Sequence, residues 1–286
     1  MKLGPEALAA ARIALKKALH LLCSRQAATG WVGGGCGWTQ TGQHGLTGQQ
    51  PVLQRPRDSS MAATLAIEAF LSASGPIVDV RSPSEHAKGR IPGAINLPLF
   101  SDEERAEVGT LYKHLGRRES IQRGLELVGP RLAQMGRQLS DLSSSTQQPL
   151  RLHCWRGGMR SASVAWLAET LDLDVVLLDG GYKSFRRWVL QRFEQCWPIR
   201  LLGGGTGCGK TDVLIALADA GGAMVDLEGL ANHRGSSFGA LGQPPQPSSE
   251  QFENRLALAL EQQRGRSPLW LEAESAQIGR CRLPHS

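Results

Sequence analysis

The sequence predicts an α/β fold built on parallel sheets and arranged as two successive units. Three observations carry this. From Met61 onward, short apolar runs alternate with helical stretches, the pattern of strand–helix–strand chains. One run, Leu150–Cys154, passes through a glycine-containing turn into a helical stretch. Another, Pro198–Leu202, passes through Gly204-Gly205-Thr206-Gly207-Cys208-Gly209-Lys210-Thr211 into a second.

Taken in order, Thr64–Ser72 is predicted as a helix and Pro76–Arg81 as a short buried strand ending in charge. Gly93–Pro98 is a second strand. Ser101 precedes an acidic first turn, which marks a helix start running to about Val108. Ser120–Leu139 reads as helical and Leu142–Gln148 as a polar loop. The strand Leu150–Cys154 leads to a helix over about Arg160–Thr170, and Val175–Leu178 is the next strand. Tyr182–Phe193 is helical, with Tyr182, Phe185, Val189 and Phe193 as its buried stripe. Lys183, Arg186, Arg187 and Arg192 mostly fall off that stripe, as a solvated face or as contacts for RNA phosphates. The second unit starts near Ile199, with a strand to Leu202, a helix over Asp212–Ala220, and strands at Ala223–Leu227 and Leu269–Glu272. Pro244–Pro247 is turn or linker material. The first unit, Met61 to about Phe193, is expected to have its own core and to fold alone.

Composition sets outer limits. At 286 residues, with 41% hydrophobic and 20% charged, the chain is globular and has room for about two domains. It has no apolar run long enough to span a membrane, and no membrane partner is expected. The net charge of +6 is concentrated in residues 1–60, which hold seven Lys/Arg against two Asp/Glu, so it says little about partners. Pro5–Leu22 could form a basic amphipathic helix, but Gly30–Gly48 has eight glycines in nineteen residues and cannot build a core. Residues 1–60 are therefore expected to be a disordered extension, with translation starting at Met61. Residues 61–193 and 194–286 form the two units. Six scattered cysteines with no C-x-x-C pair suggest neither a zinc site nor a disulfide framework, and fit a reducing cytoplasm.

The segment His153-Cys154-Trp155-Arg156-Gly157-Gly158-Met159-Arg160-Ser161 joins a strand end to a helix start. Such a turn aims backbone N–H groups at one point, and the helix N-terminus adds positive potential. With Arg156 and Arg160 nearby, Cys154 is the expected nucleophile, held as thiolate, and Arg156, Gly157, Gly158 and Arg160 form the anion loop. The segment fits both the protein tyrosine phosphatase signature and a rhodanese-type loop. The upstream stretch Asp79-Val-Arg-Ser-Pro-Ser-Glu85-His-Ala-Lys-Gly89-Arg-Ile-Pro-Gly93-Ala-Ile-Asn96-Leu-Pro98 resembles the opening motif of rhodanese-like domains. That favours sulfur or selenium transfer over ester hydrolysis.

Gly204–Thr211 has the full G-x-x-x-x-G-K-T spacing of a P-loop. Its glycines let amides wrap a diphosphate, Lys210 offsets the charge, and the Thr211 hydroxyl can reach Mg²⁺. Gly204, Gly205, Thr206, Gly207, Gly209, Lys210 and Thr211 are thus the expected diphosphate site. Asp226, Glu228 and Glu272, at strand ends, are accessory candidates for holding Mg²⁺. His233 and Arg234 open a glycine-rich loop that could close over a charged ligand.

A rhodanese-like cysteine loop followed by a P-loop, with Gly180-Gly-Tyr-Lys183 and Asp226–Gly239, resembles the tRNA 2-selenouridine synthase family from about Met61 to Pro284. The resemblance implies conversion of wobble 2-thiouridine in tRNA to 2-selenouridine. The sulfur would first be geranylated from geranyl diphosphate, then replaced by selenium from selenophosphate. Cys154 matches the selenium-carrying cysteine and the P-loop matches the diphosphate site; tRNA and a supply of selenophosphate are the implied partners. Two departures stand out: the extra 60 residues, and only 88 residues from Ile199 to Ser286, so the P-loop unit is expected to be incomplete, with an exposed apolar edge. The alternatives are a cysteine-dependent phosphatase with a nucleotide-binding P-loop unit, and an inactive RNA-binding remnant.

Overall fold

The computed structural model describes residues 62–205, 208–236 and 238–284. The readings made for residues 1–61, the basic helix and glycine-rich segment included, lie outside the described residues, as do Thr206 and Gly207 of the P-loop.

The first sheet is five-stranded and parallel, in the order β1-β5-β4-β2-β3. Its strands are β1 (Ala63–Leu65), β2 (Ile77–Asp79), β3 (Ile95–Asn96), β4 (Leu150–His153) and β5 (Val175–Leu178). The helices between them are α1 (Ile67–Ser72), α2 (Pro83–Lys88), α3 (Asp102–His114), α4 (Arg117–Val128), α5 (Leu132–Thr146) and α6 (Met159–Thr170), and α7 (Gly181–Phe193) follows β5. Local chemistry sets several starts. Ser82 with Glu85, and Ser101 with Glu104, form capping boxes, and Pro83 opens α2 where a missing N–H costs nothing. Parallel strands covered by helices are buried and apolar, and Val78, Leu150, Leu152 and Val175 are fully buried in the central cluster.

Three segments differ from the sequence reading. Thr64–Ser72 is not one helix: Ala63–Leu65 pairs with β5, and the helix starts only at Ile67. Ser120–Leu139 is interrupted by a 3₁₀ turn at Gly129–Arg131, where Pro130 lacks the N–H an α-helix needs. The loop predicted over Leu142–Gln148 is helical through Thr146. Leu142 packs on the core, Ser145 bonds back to the Leu142 carbonyl, and left-handed Gln147 ends the helix.

The second sheet is parallel, in the order β6-β8-β7, from β6 (Ile199–Leu202), β7 (Ala223–Val225) and β8 (Leu269–Glu272). Helix α8 (Lys210–Asp219) follows the P-loop. The strand expected to reach Leu227 stops at Val225, because the Asp226 side chain accepts from Gly229 N and caps α9 (Leu227–Ala231). Three elements are additional to the sequence reading: α10 (Ser249–Gln262), capped by Ser248 and burying Phe252, Leu256 and Leu260 at helical spacing, and the short antiparallel strands β9 (Gln277–Ile278) and β10 (Cys281–Arg282).

Residues 62–286 form one compact unit. The first part has a core of its own, the cluster around Val78 and Leu152, and a second cluster is shared: Ala257 and Leu258 of α10 pack with Phe70, Ile91, Tyr182, Phe185 and Val189. The Tyr182 hydroxyl donates to Glu250 Oε1 at 2.7 Å and accepts from Asn254 Nδ2 at 2.8 Å. Asn254 Nδ2 also donates to the Arg90 carbonyl at 3.0 Å. Gly89 has the extended backbone any residue adopts; what it supplies is space, since a Cβ there would lie 2.5 Å from Glu250 Oε1 and 2.6 Å from the Tyr182 hydroxyl. The basic residues of α7 divide. Arg186 pairs with Glu253 and Arg192 with Glu261, both on α10, while Lys183 and Arg187 are exposed.

Candidate active site

Cys154 stands at the end of β4 and is 2% exposed. Its position follows from the turn around it. Gly157 has φ +66° and Gly181 φ +59°, conformations an L side chain resists, and a Cβ on Gly181 would strike the Cys154 carbonyl and the Gly157 amide. The loop therefore lies directly on the start of α7, where Tyr182 N–H donates to the Cys154 carbonyl and Lys183 N–H to that of Trp155, at 2.8 and 2.9 Å. Ser161 Oγ lies 3.2 Å from Cys154 Sγ and 3.1 Å from the Gly158 carbonyl. Ser161 was no site candidate in the sequence, although one turn into a helix that starts at the loop it could have been one.

The two loop arginines separate. Arg156 is exposed. Arg160 is held by Glu85 through contacts of 2.6 and 3.4 Å, and Arg105 also approaches Glu85. Burial opposes charge on Glu85, but Arg160, the Ser82 amide and Arg105 together overcome it and hold the carboxyl below its usual range. The positive charge open to an anion at Cys154 is thus smaller than the count of arginines suggests.

Behind the loop is a buried polar cluster. Register sets Asp79 of β2 beside His153 of β4. Arg81 donates to both Asp79 oxygens from Nε at 2.9 and 3.0 Å, and its Nη2 reaches the Gly89 carbonyl at 2.7 Å. His86 Nδ1 lies 3.1 Å from Asp79 Oδ2. Burial works against charging Asp79; His153, His86 and Arg81 overcome it and hold the carboxyl well below the usual range. Burial also drives His153 down to about 4, so the imidazole is neutral at pH 7, and its Nε2 has no hydrogen-bond partner among the described residues. Arg81 lies over Tyr182, its guanidinium carbon 3.8 Å from the ring centroid.

At the second loop, Gly209 (φ +82°) precedes the first residue of α8, Lys210. Lys210 Nζ donates to the carbonyls of Gly204 and Gly205 at 3.1 and 3.3 Å, so the ammonium sits across the mouth of the loop. Thr211 Oγ1 donates to Glu272 Oε1 at 2.7 Å, and Glu228 N–H lies 3.5 Å from Glu272 Oε2. Glu228 is pushed up to about 7 by burial and by Glu272, Glu274 and Asp226, and Glu272 is raised by burial and by Asp226 and Glu274. The loop beginning at His233 passes over these carboxylates, with Gly235 against Glu228 and Glu274. His233 is nearly buried, and Arg234 N–H is tied to the Gly239 carbonyl at 3.0 Å. A hydroxyl beside clustered carboxylates suits a hard cation such as Mg²⁺, although among the described residues no group of three acidic, His or Cys side chains has the geometry of a metal site. Among those residues no helix is long and apolar enough to cross a membrane.

Comparison with known proteins matches residues 65–187 to the rhodanese-like domain family and residues 197–286 to the tRNA 2-selenouridine synthase AAA domain. The chain is 42% identical over 217 residues to a tRNA 2-selenouridine synthase of Marinobacter nauticus, an alignment covering 74% of this chain and 58% of that protein. It is 44% identical over 217 residues to the tRNA 2-selenouridine synthase of Pseudomonas fluorescens (strain Pf0-1), covering 73% and 57%. It therefore spans less than two thirds of the length of these relatives. Among solved structures, the N-terminal domain of a Clostridium difficile 630 protein is 40% identical, with a TM-score of 0.43, covering 45% of this chain and 99% of that one.

Proposed function

We propose that this chain, a relative of the tRNA 2-selenouridine synthases, takes part in converting wobble 2-thiouridine of tRNA to 2-selenouridine. The supporting observation is that one compact unit, residues 62–286, carries both a buried cysteine at the head of a helix and a P-loop. The reading assigns them separate tasks. The P-loop, with Lys210, holds the diphosphate of geranyl diphosphate. The thiocarbonyl sulfur attacks the geranyl carbon, a C–S bond forms, the C–O bond breaks and diphosphate leaves. Alkylation turns that sulfur into a leaving group. Water cleaves the P–Se bond of selenophosphate, releasing phosphate and hydrogen selenide. The Cys154 sulfur adds to C2 of the base as geranylthiolate departs, and selenide then displaces the cysteine, forming the C–Se bond as the C–S bond to Cys154 breaks; Ser161 donates a hydrogen bond to the Cys154 sulfur. Mg²⁺, when bound, would offset diphosphate charge, with Thr211 and Glu272 as the residues to hold it.

Nucleoside mass spectrometry of tRNA from cells lacking the protein, complemented with the parent chain or with Cys154→Ser, tests this. The parent should restore 2-selenouridine and the variant should not, while S-geranyl-2-thiouridine accumulates. Normal 2-selenouridine with Cys154→Ser would remove Cys154 from the reaction. A phosphatase, by contrast, would hydrolyse p-nitrophenyl phosphate; the capture of Arg160 by Glu85 weighs against that activity.

A further inference from the structure

Trp155 directly follows Cys154, and 37% of it is open to solvent. A single exposed apolar side chain is ordinary, but the support beneath this one is unusual. Its ring lies 5.7 Å from the Tyr182 ring, tilted by 40°. The Arg81 guanidinium carbon is 5.9 Å from its centroid. Arg81 is itself fixed by Asp79 and by the face of Tyr182, all three fully buried. The Trp155 carbonyl is tied to Lys183 N–H at 2.9 Å. The indole is thus propped from behind by bonded, buried groups and has little freedom left to lose when something lies on it.

Two exposed cations accompany it, Arg156 next in the chain and Lys183 on the helix below. A fixed aromatic surface flanked by cations is the equipment that recognises an unpaired base, the ring stacking and the cations meeting the backbone. A small anion alone would need the cations and the loop amides, and no indole. A paired base would keep its faces within its own helix and could not use the platform.

We propose that Trp155 is the stacking platform for the unpaired target base, holding its C2 position toward Cys154. Trp155 is then a substrate-positioning residue, and the inference rests on the tRNA reading above.

The test is fluorescence anisotropy of a labelled anticodon stem–loop carrying wobble 2-thiouridine, titrated with the full chain, Trp155→Ala and Trp155→Phe. Stacking on one base predicts that Trp155→Ala weakens binding roughly 5- to 100-fold. Trp155→Phe should recover most of the affinity, with both variants shown by circular dichroism to be folded at the temperature of the titration. Equal binding by the parent and Trp155→Ala would overturn the platform while leaving the tRNA reading intact. Equal loss in the Phe and Ala variants would overturn it too, since a ring would no longer be what matters. Failure of the parent chain to bind the stem–loop at all would overturn the platform together with the reading beneath it.

Discussion

The Ser161 hydroxyl oxygen lies 3.2 Å from Cys154 Sγ, within reach to donate its proton to the sulfur. The same hydroxyl also has the Gly158 carbonyl at 3.1 Å, so its hydrogen chooses between two acceptors and turns to the sulfur when that carries charge. Replacing Ser161 with Ala should slow alkylation of Cys154 by iodoacetamide by about 2- to 10-fold, the worth of one hydrogen bond of about 0.5–1.5 kcal/mol. Identical pseudo-first-order rates in the two proteins would show that the hydroxyl stays on Gly158.

Lys210 spans the P-loop by bonding to its carbonyls, a position from which the ammonium can transfer to a diphosphate oxygen. Charge-assisted hydrogen bonds contribute roughly 1.5–3 kcal/mol. Lys210→Ala should therefore weaken geranyl diphosphate binding by about one to two orders of magnitude. Calorimetry at matched salt gives the comparison, and unchanged affinity would move the ligand away from this loop.

Acid should weaken the buried cluster behind the cysteine loop through His153. Its folded value of about 4 lies below the ordinary 6.5. A depressed folded value means stability that is complete above 6.5 and is lost as the pH falls toward 4, because only the unfolded chain takes up the proton in that range. Asp79, also lowered, adds a loss in the same direction at still lower pH. The His153 contribution is up to about 3 kcal/mol between neutral pH and about pH 4, and it is opposed by Glu228 and Glu272, whose raised carboxyls take up protons in the folded chain over the same range. NMR titration of the His153 imidazole reads the group directly: it should stay neutral down to about pH 4, and titration at its ordinary 6.5 would mean that His153 is not buried neutral.

Strand β6 lies at an edge of its sheet with Ile199 43% and Leu201 62% exposed, and Val213 and Ile215 of α8 are 56% and 48% exposed. An open strand carrying apolar side chains is a template for pairing with other chains. The purified chain should self-associate as concentration rises, and Leu201→Lys should reduce this without lowering the melting temperature. Sedimentation velocity of both proteins at several concentrations decides it, and equal association would place the contact elsewhere.

The parts of the site legible in the sequence were those written over short spans. Cys154 to Ser161 and Gly204 to Thr211 each join a strand end to a helix start, and glycine spacing reveals such turns because few other residues adopt them. What could not be read depends on distant partners. Arg160 reads as part of an anion cradle until Glu85, 75 residues earlier, is seen to hold it. Arg186 and Arg192 read as a free basic face because Glu253 and Glu261, which hold them, lie 67 and 69 residues further on, and no local pattern says which helix faces will meet. Tyr182 looked like one member of a buried stripe, and its hydroxyl bonds to residues 68 and 72 positions away are invisible to local pattern.

Those bonds of Tyr182 also bear on how the chain can be divided. Cutting after Phe193 would strip α10 away and leave the Tyr182 hydroxyl without Glu250 and Asn254, Arg186 without its carboxylate, and Phe185 beside the gap left by Ala257. Water would take up these polar groups, so each lost hydrogen bond costs its net worth of about 0.5–1.5 kcal/mol, with lost apolar burial around Phe185 in addition, against the roughly 5–15 kcal/mol that typically holds a domain together. The cysteine loop would feel the cut directly, because the backbone amide of Tyr182 holds the Cys154 carbonyl. A protease or an engineer who separates the two loops at the family boundary should recover a first part that keeps its central cluster but holds its cysteine loop more loosely.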